Sequence, residues 1–306
     1  MQAQLDIPDY VAAALLLPEL QTRIGAAYAA RRKGFEDAVE AKVMIAKQLQ
    51  RVKATDEDGD PILDEDGDPE KAWKAPGSPE WVAMVDATLD IQLDPDFQAD
   101  YDEVCDQVAG LLAADPLIQE IARDWQAIVG DFHSTDLQDK AAAEKRVKAF
   151  GDRVLKLQSQ TLGIDPPTAF EFKPDPDDPE SMGGYNGGTG RIDLNSAAPG
   201  NWSLREFLDT LTHENTHAYQ EKLIRLLGGT ALLPGEVQLQ SGDSEYCAAL
   251  ALKLNDNAGY VSFDESEEYP DDTHEPYMEQ VCEVQAWRAG ERAGKGAWKK
   301  LQKVPR

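Results

Sequence analysis

The sequence predicts an α+β protein that is mostly helical, and three observations carry this. Long stretches rich in Ala, Leu, Lys and Glu dominate the first half of the chain. One short stretch, 191–195, alternates apolar and polar residues at the period of a strand. The stretch after it has a helix start signal at one end and a stop signal at the other. Together they predict an N-terminal helical region, 1–165, against a second region, 166–306, with a small β-sheet and further helices.

Taken in order, 1–54 has helical composition. An acidic stretch follows, Asp56-Glu57-Asp58-Gly59-Asp60-Pro61, repeated as Asp64-Glu65-Asp66-Gly67-Asp68-Pro69. In a calcium loop with Gly59 sixth, the first position would be Ala54, where a carboxylate is needed, and the Gly67 register puts Ile62 there. An exposed acidic loop or small hairpin near 55–78 is the better expectation. Helical patterns resume from about 80 to 162. Thr135 and Gln138 have capping-box spacing before the stretch Leu137–Leu162, and Gly163 stops it. Asp165-Pro166-Pro167 opens a change of composition, and a boundary is expected near 163–170. Residues 173–183, rich in Pro, Asp and Gly, form a loop.

Tyr185-Asn186-Gly187-Gly188 and Thr189-Gly190 supply turn chemistry ahead of Arg191-Ile192-Asp193-Leu194-Asn195, which predicts a hairpin. These glycines match no phosphate-binding register. Ser203 and Glu206 form a second capping box, for a helix running to about Leu227 and stopped by Gly228-Gly229. Its core face is Leu204, Phe207, Leu208, Leu211 and Ala218. Further helices are expected from about Ser244 to Leu254 and from about Glu275 to Gly290.

Asp and Glu exceed Lys and Arg to give a net charge of −27. Such a surface repels nucleic-acid backbones and anionic membranes, so neither is expected as a partner. Cys105, Cys247 and Cys282 are widely spaced and odd in number, which argues against a disulfide framework or a thiolate zinc site. The apolar patch from Tyr10 to Leu17 lacks a basic lead-in and is interrupted by Pro18-Glu19, a poor signal peptide. The expectation is a chain made and folded in the cytoplasm, with signal-less secretion left open.

The most informative residues lie on the capped helix: His213-Glu214-Asn215-Thr216-His217, in a chain with only 4 histidines. Histidines four apart on a helix share a face, so one Zn²⁺ could take both imidazoles. Glu214 sits beside them, where it can accept a proton from zinc-activated water. A third protein ligand is required. The other histidines are His133 and His274, and Leu223 stands where an HExxHxxGxxH arrangement needs its third histidine. A carboxylate on a later helix remains, and Glu245 and Glu283 are the two candidates. The apolar neighbours of Glu283 (Val281, Cys282, Val284 and Trp287) would make an unpaired carboxylate costly there.

At these residues the sequence resembles the zincin metallopeptidases, in particular the gluzincin branch, whose third ligand is a glutamate on a helix after the HExxH helix. The thermolysin-like Asn-Glu pair with a downstream Asp is not reproduced, since Ser244 precedes Glu245 and no Asp lies in Val284–Ala286. Tyr277-x-x-Gln280-x-x-Glu283-x-x-Ala286 looks more like small bacterial HExxH families with a Tyr…Gln-Pro-x-Glu…Ala helix, with Val281 in place of the proline. The resemblance covers about 184–290 and implies a zincin-like catalytic domain over 166–306, with zinc held by His213, His217 and Glu283. It also implies that the strand before the active-site helix, here the 184–195 hairpin, borders a peptide-binding cleft.

The function implied is a zinc metallopeptidase, an endopeptidase acting on protein or peptide substrates. Glu214 would be its general base, and Tyr277 or His274 would stabilise the oxyanion, preferred over Tyr246 and Tyr260 for their nearness to Glu283. The helical first half and the acidity would suit a bacterial effector or toxin-like protease. The alternatives are a non-catalytic zinc-binding scaffold and an acidic interaction protein that occupies a basic partner.

Overall fold

The computed structural model of the 306-residue chain describes residues 52–53, 71–72, 77–89, 92–132, 134–167, 169–173, 182–195, 203–228, 232–233, 236–240, 243–258, 269–270 and 275–304. The helices expected over 1–54 lie outside the described residues except at Val52–Lys53, which form a strand instead because they pair with Lys71–Ala72. Most of the acidic stretch, and His133, Tyr260 and His274, also lie outside.

The protein is α+β and mostly helical. Two short strands, β1 (Val52–Lys53) and β2 (Lys71–Ala72), pair antiparallel on either side of the acidic repeats. Helix α1 (Pro79–Leu89) follows. Helix α2 (Pro95–Ala114) starts at Asp94, whose carboxylate accepts from the backbone N–H of Asp96 at 2.8 Å and of Phe97 at 3.2 Å. Pro95 suits the first turn, where its missing N–H costs nothing. Asp115 ends α2 and caps α3 (Pro116–Phe132), accepting from Leu117 N–H at 3.0 Å and Ile118 N–H at 3.1 Å. Helix α4 (Leu137–Leu162) has the expected bounds but a different cap. Asp136, not Thr135, accepts from the N–H groups of Gln138 and Asp139. A carboxylate one residue nearer the helix completes the bonds that the Thr135 register would make.

Strands β3 (Ala169–Lys173), β4 (Gly183–Asn186) and β5 (Arg191–Asn195) form a sheet in the order β3-β5-β4. The expected hairpin is β4–β5, antiparallel with Tyr185 opposite Ile192, and β3 runs parallel to β5 on its other side. Ile192 and Leu194 point into the core, as the alternation predicts.

Helix α5 (Leu204–Gly228) is the centre of the molecule. Its capping box is made as expected: Ser203 Oγ accepts from Glu206 N–H and Glu206 Oε2 from Ser203 N–H, both at 3.2 Å. Residues 211–216 are all buried, so α5 is covered on every side over these two turns. Phe207 meets Trp125 of α3 and Phe150 of α4, with ring centroids 5.0 and 5.9 Å away. Helix α6 (Ser244–Ala258) packs on another side of α5.

The single helix expected from Glu275 to Gly290 is broken and extended. It comprises α7 (Pro276–Glu279), α8 (Val281–Ala289), a π turn (Gly290–Gly294) and α9 (Lys295–Leu301). Gln280 is extended at the break, with ψ 143°. Its Oε1 accepts from Asn255 Nδ2 of α6 at 2.9 Å, while Asn255 Oδ1 accepts the N–H of Cys282 at 3.4 Å. The side chain of α6 thus caps α8 from outside. No helix among the described residues is long and apolar enough to cross a membrane.

Candidate metal centre

His213 and His217 lie one turn apart on the buried helix α5, and α8 brings Glu283 across to them. Their Nε2 atoms are 3.2 Å apart. Glu283 Oε2 is 3.3 Å from His213 Nε2, and Glu283 Oε1 is 3.7 Å from His217 Nε2. Glu214 Oε1 is 3.9 Å from His213 Nε2. Ligand-type atoms of His213, Glu214 and His217 all lie within 4.8 Å of one another, as a metal-holding group requires. Glu283 approaches both rings more closely than Glu214 approaches His213. It is 2 % exposed and stands in the first turn of α8, where the helix dipole favours a carboxylate.

The hydrogen bonds around His217 fix its orientation. Gln220 Nε2 donates to the backbone carbonyl of Cys282 at 2.8 Å and to Gln285 Oε1 at 3.0 Å. A carbonyl can only accept, so the amide nitrogen of Gln220 faces α8 and its Oε1 faces His217 Nδ1, 2.9 Å away. His217 therefore donates through Nδ1 to Gln220 Oε1, and its Nε2 faces Glu283 and His213. His213 packs edge-on against the Trp287 ring, with centroids 4.6 Å apart, and its Nδ1 is buried with no hydrogen-bond partner among the described residues.

Charge is concentrated among largely buried groups. Burial alone would lower the His213 pKa, but the Glu283 carboxylate beside its ring, with the charges of Glu214 and Asp209, overcomes this and raises it. Burial pushes the Glu214 carboxyl up, against the opposing pull of His213 and His217. The backbone N–H of Tyr185, in strand β4, hydrogen-bonds Glu214 and ties the sheet to the helix.

A cleft of about 410 Å³ opens at this point between β4 and helices α5, α6 and α8. Glu214, His217 and Glu283 form one end of its wall, Gly183 to Tyr185 of β4 one side, and Ile224, Leu252 and Tyr277 an apolar portion. Strand β4 pairs only with β5 among the described residues, so it is an edge strand beside the cleft. The Tyr185 hydroxyl donates to Glu221 Oε2 at 2.5 Å and separates this cleft from a second groove of about 770 Å³ toward Lys222 and Arg225.

Of the residues singled out in the sequence, His213, Glu214, His217 and Glu283 come together, and Tyr277 lines the same cleft. Glu245 sits in the first turn of α6, where its charge is felt at the Tyr219 phenol. Tyr246 is half-buried on α6. Gln280 and Tyr185 stood in the quoted motif and hairpin without the roles they have here, and reading the sequence missed Gln220, Asn255 and Gln285. Only Gln220 had a usable signal, being three residues past His217 on the same helix face. Comparisons of the chain with protein-family models, with curated proteins and with solved structures find no match.

Proposed function

We propose that this protein is a zinc metallopeptidase with His213, His217 and Glu283 as metal ligands and Glu214 as general base. The observation that carries the reading is the mutual spacing of three ligand-type atoms. In a tetrahedral shell with zinc bonds near 2.0–2.1 Å, neighbouring ligand atoms are about 3.3 Å apart. The His213–His217, His213–Glu283 and His217–Glu283 separations of 3.2, 3.3 and 3.7 Å fit that shell. The donor set fits as well: two nitrogens and one carboxylate suit zinc and leave a position for water. Glu283 Oε2 is buried without a hydrogen-bond partner among the described residues, and a cation would compensate it.

When bound, zinc supplies Lewis-acid polarisation of a carbonyl oxygen and lowers the pKa of water toward about 7. The rest of the chemistry belongs to the side chains. Glu214, its carboxyl raised by burial, takes a proton from the attacking water and returns it to the leaving amine. The β4 edge offers main-chain groups to an extended peptide, as in strand addition. Tyr277 lines the cleft with a hydroxyl suited to stabilising the developing oxyanion. The substrate class that follows is an extended protein or peptide segment.

The test is Glu214→Gln. Elemental analysis of the purified chain and its variant should find one zinc per chain in both. Cleavage of a peptide library should fall by about 100- to 10,000-fold in the variant, as loss of a general base predicts. Equal cleavage by the two proteins would remove Glu214 from its role. Stoichiometric zinc with no cleavage of any peptide by the parent would reduce the protein to a zinc-binding scaffold.

A further inference from the structure

We propose that Asp209 is a positioning residue of the metal centre, its carboxylate accepting a hydrogen bond from Nδ1–H of His213 one helical turn away. The inference rests on the reading of His213 as a ligand through Nε2. A neutral imidazole that presents Nε2 to a cation carries its proton on Nδ1. That atom of His213 is buried and lacks an acceptor among the described residues, and a buried N–H without a partner is costly. Trp287, the ring against His213, has only an N–H donor to offer.

Asp209 precedes His213 by four residues on α5, and helical side chains lean toward the N-terminus, so the His213 ring leans over the turn that carries Asp209. The backbone carbonyl of Asp209 already accepts from Thr212 Oγ1 at 3.1 Å. Its carboxylate Oδ1 is buried and has no donor among the described residues. A buried donor and a buried acceptor, both unsatisfied, thus stand on successive turns of one helix. On this proposal they meet when His213 presents Nε2 to the metal.

The π turn keeps room for this carboxylate. A Cβ on Gly290 would lie 2.0 Å from Asp209 Oδ1, and one on Gly294 would lie 2.8 Å from the Asp209 backbone nitrogen. Lys295, directly after the π turn, has its Nζ 3.5 Å from Asp209 Oδ2 and balances the buried charge from the far side. The two rings would then be held differently: His217 by the neutral amide of Gln220, His213 by an anion that raises its basicity as a ligand.

The full chain is used for the test, with Asp209→Ala and Asp209→Asn. Zinc affinity is measured by competition with a chromophoric chelator at fixed pH. The His213 ring is followed by ¹⁵N–¹H spectra of histidine-labelled, zinc-loaded protein. Asp209→Ala is expected to bind zinc about 10- to 100-fold more weakly and to lose the hydrogen-bonded Nδ1–H signal of His213. Asp209→Asn, which still offers an oxygen, is expected to retain most of the affinity with the signal shifted upfield. Parent-like affinity in a folded Asp209→Ala protein overturns the proposal. So does an unchanged Nδ1–H signal in Asp209→Asn, which serves if the alanine variant does not fold. A parent chain that takes up no zinc overturns the metal reading itself.

Discussion

Gln220 shows how much one side chain can organise at this site. Its amide oxygen holds His217 Nδ1, and its amide nitrogen bridges to Cys282 O and Gln285 Oε1 on α8, the helix of Glu283. One residue therefore orients a proposed ligand on α5 and ties down the turn that carries another. Gln220→Leu would leave His217 free to rotate and remove the donor to Gln285 Oε1. Zinc affinity is expected to fall about 10- to 100-fold, and stability by about 1–3 kcal/mol, read by chelator competition and by denaturant titration of the metal-free protein. A drop in stability with parent-like affinity would assign Gln220 to packing alone. The cysteines give a second check at this scale. Burial, with the nearby charge of Asp102, pushes the Cys105 thiol up to about 12, so it stays protonated and inert at pH 8. Cys282 lines the cleft and is only half-buried. Iodoacetamide at pH 8 should label Cys282 well before Cys105, and peptide mapping would show it.

Among the elements, α5 is held from behind by α4 and α2. Gln158 Nε2 donates to Thr212 O at 2.9 Å, Asn215 Nδ2 donates to Gln158 Oε1 and Ser159 Oγ, both at 3.1 Å, and Tyr101 donates to Thr216 Oγ1 at 3.0 Å. Asn215 and Thr216, between the two histidines, thus bond to the scaffold helices and lock α5 to them. Asn215→Ala strands two partners in a dry core and should cost about 2–3 kcal/mol with Tm several degrees lower, seen in a calorimetric melt. The sequence revealed the local half of this arrangement. His213, Glu214 and His217 are neighbours on one helix, the Ser203–Glu206 cap is a three-residue pattern, and β5 is a five-residue alternation, so each is written within one turn or strand. The back-side bonds of Asn215 were not legible, because an Asn inside a motif carries no mark of a partner 56 residues away on α4. Nor was the break at Gln280. No Gly or Pro stands there, and the chain bends because Asn255, on another helix, supplies a better partner for Gln280 and Cys282 than a continued helix would. That break sets where Glu283 points. The sequence offered Glu283 beside Glu245 through the Tyr277…Ala286 resemblance and its apolar neighbours, while periodicity alone could not bring either across to the histidines.

At the scale of the whole molecule, one hydrophobic cluster runs from Phe97 of α2 through α3, α4, β5 and α5 to Leu301 of α9. Charged contacts close its outer seam. Asp102 of α2 accepts from Arg288 of α8 at 2.7 and 2.6 Å and has Arg292 of the π turn 3.3 Å away. This joins an early helix to the segment that carries Glu283. The hydrogen bonds from Arg288 outweigh burial and hold the Asp102 carboxyl below the usual carboxylate range. A carboxyl lowered on folding stabilises the native state at pH values above its unfolded pKa, near 3.9, and loses that contribution as pH falls through the lower folded value. Arg288 is nearly half exposed, so solvent screening limits the pair to about 1 kcal/mol. Asp102→Asn should therefore be less stable than the parent by about that amount at pH 7. The gap should persist to about pH 4 and close below it, where the parent carboxyl is also neutral. Urea titrations of the metal-free proteins at pH 7, 5, 4 and 3 would trace the closing gap. A gap constant down to pH 3 would mean that Asp102 acts through packing, and a gap that widened toward acid would give the linkage the wrong sign.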